Sequence, residues 1–304
     1  MSILGNDISS WQGTPIDFAK MKSAGCQFLY IRAGVGWTKD RYFDQNKAGA
    51  REAGIPWGSY WIPWVTQSQN ALLDNYEWML GDDWGDLPPA LDVETEGLSL
   101  AMFIYWLNFT EPKWLARIPA DAAEVRRKLV FYTRASHFNQ YANVLQYKQA
   151  LGQRTNLWVA HYTYSPWKLP ALPKDSWSAY LIHQYSADEN SLGSAFGVQS
   201  KAIDVNSFNE DAELYLEWIG MQEGLPLPTK DRYIKIVAKK WDGQPGFLFF
   251  RDKPEWDSDA FLAVGYGETI KLVDTNIVNG HWHVNRGGFD GWVSASPKYT
   301  QLLI

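Results

Sequence analysis

Eight short apolar segments recur through about the first 220 residues of this chain, and most are separated by stretches with helical periodicity. Segments of this length that alternate with helices indicate a parallel sheet covered by helices. Eight repeats favour closure into a (β/α)8-type barrel, which is an α/β fold. The predicted strands are 3–8, 27–33, 57–62, 90–93, 129–133, 157–161, 179–185 and 202–205.

Helix signals are clearest in the first half of the chain. Thr14 is predicted to cap the first helix, with Pro15 in its first turn, and Gly54 is predicted to end a helix over 42–53. Segments 162–178 and 186–200 are rich in Pro, Gly and Ser and need not be helical. An open doubly wound sheet is therefore the structural alternative, although no Gly-rich phosphate loop follows the first strand. The other predicted helices are 67–80, 98–109, 120–127, 136–143 and 209–219.

Two carboxylates end the fourth predicted strand, which reads Pro88-Pro89-Ala90-Leu91-Asp92-Val93-Glu94. Residues i and i+2 of a strand share a face, so the Cβ atoms of Asp92 and Glu94 are expected about 6–7 Å apart. Acids at the end of an apolar strand are costly without a role. A carboxyl pair suits glycosidic bond cleavage, in which one protonates the leaving oxygen and the other stabilises the cationic transition state. The alternative is a pair of capping or salt-bridging acids on an exposed loop.

Two further acids stand at strand ends. Asp7 ends the first predicted strand and Asp204 ends the eighth, and these two strands become neighbours when a barrel closes. Side chains at the carboxyl ends of barrel strands converge on one site. Asp7, Asp92, Glu94 and Asp204 are therefore expected at one mouth, where like charges should raise at least one carboxyl pKa, as a general acid requires.

Aromatic residues are abundant, at 17 Trp, 16 Tyr and 14 Phe. Several stand at predicted strand ends, where their rings are expected to wall a sugar-binding cleft; packing inside the barrel is the alternative for each of them. These residues are Tyr60, Trp61, Tyr132, Trp158, Tyr162 and Tyr185.

A series of motifs over residues 3 to about 219 resembles the glycoside hydrolase family 25 lysozymes, in the order that the family has them. They are Asp7-Ile8-Ser9-Ser10-Trp11-Gln12-Gly13 with Ile16-Asp17-Phe18, Ala24-Gly25-x-x-Phe28-x-x-Ile31, Tyr42-Phe43 with Asn46, Ala53-Gly54-Ile55-Pro56-x-Gly58-x-Tyr60, Leu91-Asp92-Val93-Glu94, Tyr132-Thr133, Leu157-Trp158-Val159-Ala160, Gln184-Tyr185 and Ile203-Asp204-Val205-Asn206.

This resemblance implies N-acetylmuramidase activity, the hydrolysis of the β-1,4 bond between N-acetylmuramic acid and N-acetylglucosamine in peptidoglycan. Glu94 would be the general acid/base, Asp92 would orient or stabilise the reacting sugar, and Asp7 and Asp204 would complete the acidic site. Gln184 would join the aromatic residues in substrate binding. The resemblance also implies irregular, partly antiparallel last strands. The Asp-x-Glu spacing does not choose between the stereochemical classes of glycosidase.

Two segments depart from the family pattern near the expected cleft. The family often has His-Phe after the third strand's Gly-x-Tyr, where this chain has Trp61-Ile62. After the second strand the family often reads Ala-Thr-Glu-Gly, where this chain reads Ala33-Gly34-Val35-Gly36-Trp37. Both departures concern substrate subsites more than catalysis.

Charge and targeting signals exclude several classes of function. The net charge is −6, and no basic patch indicates nucleic-acid binding. The single cysteine, Cys26, excludes an internal disulfide and is interpreted as a packing residue.

The N-terminus lacks the features of a signal peptide, and no apolar run reaches the length of a membrane span. We expect synthesis in the cytoplasm and release by another route, as for a phage or prophage lysin. No cofactor is expected.

The remainder of the chain changes pattern. Residues 1–220 are interpreted as the catalytic barrel, 221–232 as a linker and 233–304 as a small all-β domain. Its motifs Asn279–Val284 and Gly291–Ser294 resemble bacterial SH3-like wall-binding domains; a structural appendage or a dimerisation module is the alternative. His281 and His283 share a strand face, but no further residue completes a zinc site. Its predicted strands are 233–238, 247–250, 269–273, 281–285 and 291–294.

Three functions are compatible with the sequence. The leading hypothesis is a modular peptidoglycan muramidase of the phage-lysin type that acts on the bacterial cell wall. The second is a non-catalytic wall-binding scaffold, which the presence of all four acids disfavours. The third is a glycosidase acting on chitin-like polymers, because the shared N-acetylglucosamine unit could occupy the same subsites. The sequence does not indicate an oligomeric state.

Overall fold

The computed structural model divides the chain into two compact units, Met1–Leu227 and Pro228–Ile304. Apart from Arg232, the predicted linker 221–232 lies outside the described residues. Those residues are 3–65, 68–141, 144–166, 168–187, 191–209, 212–220, 232–239, 247–255, 260–266, 269–279, 281–286, 289–296 and 298–303.

Eight strands of the first unit close into a barrel. The first strand is hydrogen-bonded to both the second and the last, so this sheet has no open edge there. The predicted (β/α)8-type barrel is confirmed, and the open sheet is excluded. The strands are β1 Ile3–Ile8, β2 Phe28–Val35, β3 Thr38–Lys39, β4 Trp57–Ile62, β5 Ala90–Val93, β6 Leu129–Thr133, β7 Thr155–Ala160, β8 Ile182–Ser186 and β9 Asp204–Phe208; β3 is a short antiparallel addition to β2.

The last barrel strand runs against its neighbours. β9 is antiparallel to both β8 and β1, whereas the other barrel pairings are parallel, so the irregular last strands that the resemblance implied are confirmed. The predicted bounds of that strand, 202–205, are wrong. Asp204 begins β9 instead of ending it, and because the strand is reversed, its first residue lies at the same mouth as the ends of the parallel strands.

The helices lie between the strands, with some boundaries different from those predicted. Asp17, not Thr14, caps the first helix, because its carboxylate accepts the Lys20 N–H at 2.8 Å. The helix ending at Gly54 is confirmed, with that glycine at φ 63°. The helices are α1 Phe18–Ser23, α2 Phe43–Ala53, α3 Gln69–Leu80, α4 Leu100–Leu115, α5 Glu124–Arg127, α6 Ala135–Phe138, α7 Leu145–Arg154 and α8 Ala212–Ile219.

Two helical regions differ most from the prediction. Helix α4 continues past the predicted end at Phe109 and contains Pro112. Helix α7 was not predicted, because its buried face includes Lys148 beside Leu151 and so interrupts the apolar period.

Side chains alternate between two clusters across the barrel wall. Phe28 and Tyr30 belong to an inner cluster, while Leu29 and Ile31 belong to an outer cluster packed under the helices. Trp218 of α8 contacts the Phe28 ring edge-on at 5.4 Å. Because Phe28 begins β2, helix α8 covers the end of the barrel opposite the acidic mouth, and the mouth remains the open end.

A buried ion pair between Arg32 and Asp40 links β2 to the loops that follow β1 and β3. Asp40 accepts hydrogen bonds from the Arg32 Nε at 2.9 Å, the Ser10 N–H at 3.0 Å and the Tyr42 N–H at 3.0 Å. The side chains of Arg32 and Asp40 are 12% and 1% exposed. Removal of one partner would leave a charge buried without its counter-ion.

Asp40→Ala is therefore expected to lower the free energy of unfolding by about 3–5 kcal/mol. Chemical denaturation of the barrel measures it. Asp83→Ala is the matched control, because it breaks the exposed Arg51–Asp83 pair, and such pairs contribute about 0–1 kcal/mol. Equal losses in the two variants would contradict a structural role for the buried pair.

The second unit is an antiparallel sheet of seven strands in its described residues. They are β10 Arg232–Ile236, β11 Phe247–Arg251, β12 Ala260–Gly265, β13 Thr269–Val278, β14 His281–Arg286, β15 Phe289–Ser294 and β16 Thr300–Leu303. Their order across the sheet is β12-β11-β15-β14-β13-β10-β16. Ile236, Ile270, Trp282, Val284 and Val293 belong to its small core. Two strands, β12 and β16, were not predicted: Ala-Phe-Leu-Ala-Val-Gly does not alternate, and Thr-Gln-Leu-Leu is short.

Candidate active site

A cavity of about 200 Å³, here called the acidic cavity, opens at the barrel mouth. It contains all four predicted carboxylates and five of the seven predicted substrate-binding residues. Its lining residues are Asp7, Tyr60, Asp92, Glu94, Tyr132, Arg134, Trp158, Tyr162, Gln184, Ala187 and Asp204.

Asp7 is buried in a hydrogen-bonded setting. Its Oδ2 accepts from the Gln184 Nε2 at 2.9 Å and the Asn206 Nδ2 at 2.8 Å. Burial raises the pKa of Asp7, while the hydrogen bonds from Asn206, Gln184 and Asp204 oppose the rise. Asp7 and Asp204 are register partners across β1 and β9, which explains why the two carboxyl groups meet.

The two amides that hold Asp7 are themselves held by aromatic side chains. The Tyr132 hydroxyl donates to the Gln184 Oε1 at 2.8 Å, and the Trp158 Nε1 donates to the Asn206 Oδ1 at 2.8 Å. These bonds direct both amide NH₂ groups toward Asp7. Tyr132 and Trp158 are almost fully buried, so they form the floor of the acidic cavity more than its walls.

Asp92 is buried in a less favourable setting for its charge. Its Oδ1 has no hydrogen-bond partner among the described residues. Burial raises the pKa of Asp92 well above its usual range, and the negative charges of Glu94 and Asp7 add to the rise, while Arg32 and Arg134 oppose it. Asp92 therefore favours its protonated form until a positive charge appears nearby.

Glu94 follows β5 and lies at the rim, with its side chain 33% exposed. Its Oε1 forms an ion pair with the Arg134 Nε at 2.7 Å. The Arg134 Nη2 also donates to the Tyr162 hydroxyl at 3.1 Å, and its guanidinium lies 5.0 Å from the centroid of that ring. The two acids of the Asp-x-Glu motif thus differ in burial and in partners.

Two residues that we predicted to bind substrate lie outside this cavity. Trp61 is fully buried, stacks on Tyr76 with ring centroids 5.0 Å apart, and donates its Nε1 hydrogen to the Gly36 carbonyl at 3.1 Å. Tyr185 packs against the outer cluster. Strand side chains alternate, so Tyr60 and Gln184 face the cavity while Trp61 and Tyr185 face the helices. The hydrogen bond to Gly36 also joins the two segments that depart from the family pattern.

Three lining or supporting residues were missed by sequence reasoning. Asn206 lies two residues after Asp204 on the same strand face, which alternation could have indicated. Arg134 directly follows the predicted strand 129–133, where a charged residue reaches the mouth. Ala187 has no chemical signal in the sequence.

The described residues include neither a metal-binding cluster nor a membrane-spanning helix. Among them, no three or more His, Cys, Asp or Glu side chains are arranged to hold a metal ion. None of the described helices is both long and apolar enough to cross a bilayer.

The arrangement can carry out acid-assisted cleavage of an acetal. Glu94 at the rim is reachable by a substrate oxygen, while Asp92 lies below it where positive charge on a bound sugar would favour its ionised form. Two carboxyl groups in contrasting environments are the usual basis for dividing acid and stabilising roles in glycosidases.

Comparison with known proteins gives the same result. The family Glycosyl hydrolases family 25 matches residues 6–194. Lysozyme M1 of Streptomyces globisporus is 31% identical over an alignment of 222 residues that covers 69% of this chain and 69% of that protein. A bacterial lysozyme from Streptomyces coelicolor is 27% identical with a TM-score of 0.56, over 73% of this chain and 99% of its own. A muramidase from Acremonium alcalophilum is 28% identical with a TM-score of 0.52, over 72% and 99%. Its sequence and its barrel show that this chain belongs to glycosyl hydrolases family 25.

Proposed function

We propose that this glycoside hydrolase cleaves the β-1,4 bond between N-acetylmuramic acid and N-acetylglucosamine in peptidoglycan. Its membership of the family and its likeness to lysozymes support peptidoglycan as the substrate. The observation that carries the proposal is the convergence of Asp7, Asp92, Glu94 and Asp204 on one cavity, with Asp7 and Asp92 buried and Glu94 and Asp204 partly exposed.

Glu94 is the proposed general acid/base. Its side chain is 33% exposed, so its carboxyl group can reach the glycosidic oxygen and then a water molecule. A positioned acid of this kind contributes about 10²–10⁴-fold to the rate.

Asp92 is the proposed stabiliser of the transition state. Its ionisation is disfavoured by burial and by neighbouring negative charge. Positive charge that develops on the sugar offsets this cost, so the interaction is stronger in the transition state than with the bound substrate. That difference is what accelerates a reaction.

The remaining residues hold and shape the site. Asp7 and Asp204 are proposed to sustain the negative field, with Gln184 fixing Asp7. Tyr60 and Tyr162 line the acidic cavity and are proposed as ring surfaces for a sugar. The Trp158 ring packs edge-on against both Tyr60 and Tyr132. Aromatic faces provide apolar contact area for such a ring.

Turnover on two polymers tests the proposed substrate. Purified peptidoglycan is expected to release reducing ends, while chitin oligomers, which share only the N-acetylglucosamine unit, are expected to be poor substrates. Preferential turnover of chitin oligomers would favour the chitin-active alternative. Binding to peptidoglycan without turnover on several wall types would favour the non-catalytic scaffold.

We propose that the second unit is an SH3-like wall-binding domain and that the chain acts on cell walls as a phage or prophage lysin. Its all-β sheet is compatible with this role. His283 stacks on Trp292 with ring centroids 4.4 Å apart, and the Phe249 and Tyr266 side chains are exposed. A binding unit joined to a catalytic unit raises the effective concentration of enzyme at the wall.

Truncation after Leu227, at the boundary between the two units, is expected to reduce co-sedimentation with purified cell walls by about 10²-fold or more. Hydrolysis of soluble glycan fragments should persist, since the four acids remain. Circular dichroism of the truncated chain verifies that the barrel is folded. Unchanged wall binding would overturn the proposed role of the second unit.

A further inference from the structure

The acidic cavity has a neighbour at the barrel mouth. A second cavity of about 280 Å³, here called the rim cavity, shares two lining residues with it, Arg134 and Tyr162. The two cavities therefore adjoin beside the Glu94–Arg134 ion pair. The rim cavity is lined by Arg134, Ala135, Ser136, Ala160, His161, Tyr162 and Ala171.

The polar groups of the rim cavity include several hydrogen-bond donors. The Arg134 side chain is 46% exposed, and only some of its five N–H donors are used on Glu94 and Tyr162. The His161 Nδ1 accepts the Ala171 N–H at 3.0 Å, so a neutral His161 ring carries its hydrogen on Nε2. Ser136 adds a hydroxyl group. A guanidinium with adjacent N–H and O–H donors is suited to a carboxylate.

Charge also distinguishes Arg134 from the rest of the mouth. Of the described residues that line the acidic cavity, four are carboxylic acids and Arg134 alone is a cation. A substrate carboxylate would be repelled by the acids, and at this mouth the favourable position for it is beside Arg134. Arg32, the other nearby cation, is already paired with buried Asp40.

We propose that the rim cavity binds a carboxylate of the substrate and that this carboxylate displaces Glu94 from Arg134. The inference rests on the proposed function, since the substrate must carry a carboxylate. In peptidoglycan the group is either the lactyl carboxylate of N-acetylmuramic acid or a carboxylate of the attached peptide. Arg134 is then the residue that selects a muramic-acid glycan over a polymer of N-acetylglucosamine alone.

The exchange links substrate recognition to the proposed acid/base residue. Transfer of Arg134 to a substrate carboxylate would release the Glu94 carboxyl group from its ion pair. The released carboxyl group lies at the rim, where it can approach the glycosidic oxygen.

The test compares three substrates with three proteins. The substrates are glycan strands freed of peptide, the same strands with their carboxyl groups reduced to alcohols, and intact peptidoglycan. The proteins are the full-length wild type, Arg134→Met, and Arg51→Met, which removes an exposed arginine paired with Asp83 away from the site. The readout is the ratio of kcat/KM for each carboxylate-bearing substrate to that for the reduced strands.

Wild type and Arg51→Met are expected to show a ratio of about 10- to 100-fold, and Arg134→Met a ratio near 1. A high ratio for peptide-free strands identifies the lactyl group as the ligand, and a high ratio for intact peptidoglycan alone identifies the peptide. An unchanged ratio in Arg134→Met would overturn the proposal. Failure of the wild type on all three substrates would instead overturn the proposed function.

A binding measurement isolates the competition for Arg134. Glu94→Gln is expected to bind N-acetylmuramic acid more tightly than the wild type by about 10-fold, because the competing carboxylate is gone. Its affinity for N-acetylglucosamine should be unchanged. Arg134→Lys, which keeps the positive charge, should retain part of the affinity for N-acetylmuramic acid that Arg134 provides. Equal affinities of wild type and Glu94→Gln for N-acetylmuramic acid would exclude the exchange.

Discussion

Glu94→Gln is expected to lower the turnover of purified peptidoglycan by a factor on the order of 10² or more. Glutamine has the size of glutamate but cannot donate the proton that the leaving oxygen requires. The loss should appear in kcat, because the proton transfer belongs to the transition state rather than to ground-state binding. Release of reducing ends at saturating substrate measures it.

Glu96→Gln is the matched control, since Glu96 is exposed two residues further along the same loop and does not line the acidic cavity. Its turnover should equal that of the wild type. Glu94→Gln should also retain its fold, because the ion pair that it loses is partly exposed and worth about 1 kcal/mol or less. Wild-type turnover by a folded Glu94→Gln would remove this residue from the acid/base role.

Asp92→Asn is expected to lower turnover by about 10²–10³-fold while stabilising the protein. Asparagine cannot supply the negative charge that the cationic transition state needs. In the resting enzyme, however, it removes a buried acid that lies beside the charges of Glu94 and Asp7. The expected stabilisation is roughly 1–2 kcal/mol, or a rise in Tm of about 2–8 °C.

The stabilisation should depend on pH in a defined direction. Because the pKa of Asp92 is raised in the fold, the folded state holds the proton more tightly than the unfolded chain. The contribution of Asp92 to stability is therefore fully present below the unfolded pKa, near 3.9, and is lost as pH rises toward the folded pKa.

The Tm difference between Asp92→Asn and the wild type should thus be small near pH 3 and grow toward pH 8. Differential scanning calorimetry over this range measures it. Asp82→Asn, which removes an exposed carboxylate, should give a small difference throughout. A Tm difference that shrinks as pH rises would show that the folded state favours ionised Asp92.

The sequence predicted the strands best where the periodicity of apolar residues agrees with the burial of their side chains. The first six barrel strands are apolar runs between helical stretches, and their predicted bounds lie within a few residues of the observed ones. The end of the barrel was harder, because no local pattern reports strand direction. The pairing of Asp7 with Asp204 in an antiparallel ladder depends on a contact across almost 200 residues of sequence.

The residues of the site also divide into those that the sequence predicts and those that it does not. The four acids were predictable because charge at the end of an apolar strand is conspicuous. The sequence did not show which of two adjacent aromatic residues faces the cavity. Tyr60 and Trp61 are similar in sequence, and only the face of the strand on which each lies separates a cavity residue from a packing residue. Arg134 was missed because its importance arises from a pairing with Glu94 that the separate sequence segments do not encode.

The identity of the bond cleaved decides whether this chain is an N-acetylmuramidase. Purified peptidoglycan would be digested with the wild-type chain, the new reducing ends reduced with borohydride, and the products analysed by mass spectrometry. We expect muramitol-type ends, derived from N-acetylmuramic acid, and their loss in Glu94→Gln. New ends derived from N-acetylglucosamine would contradict it, because the acidic cavity would then be cleaving the other glycosidic bond of the polymer.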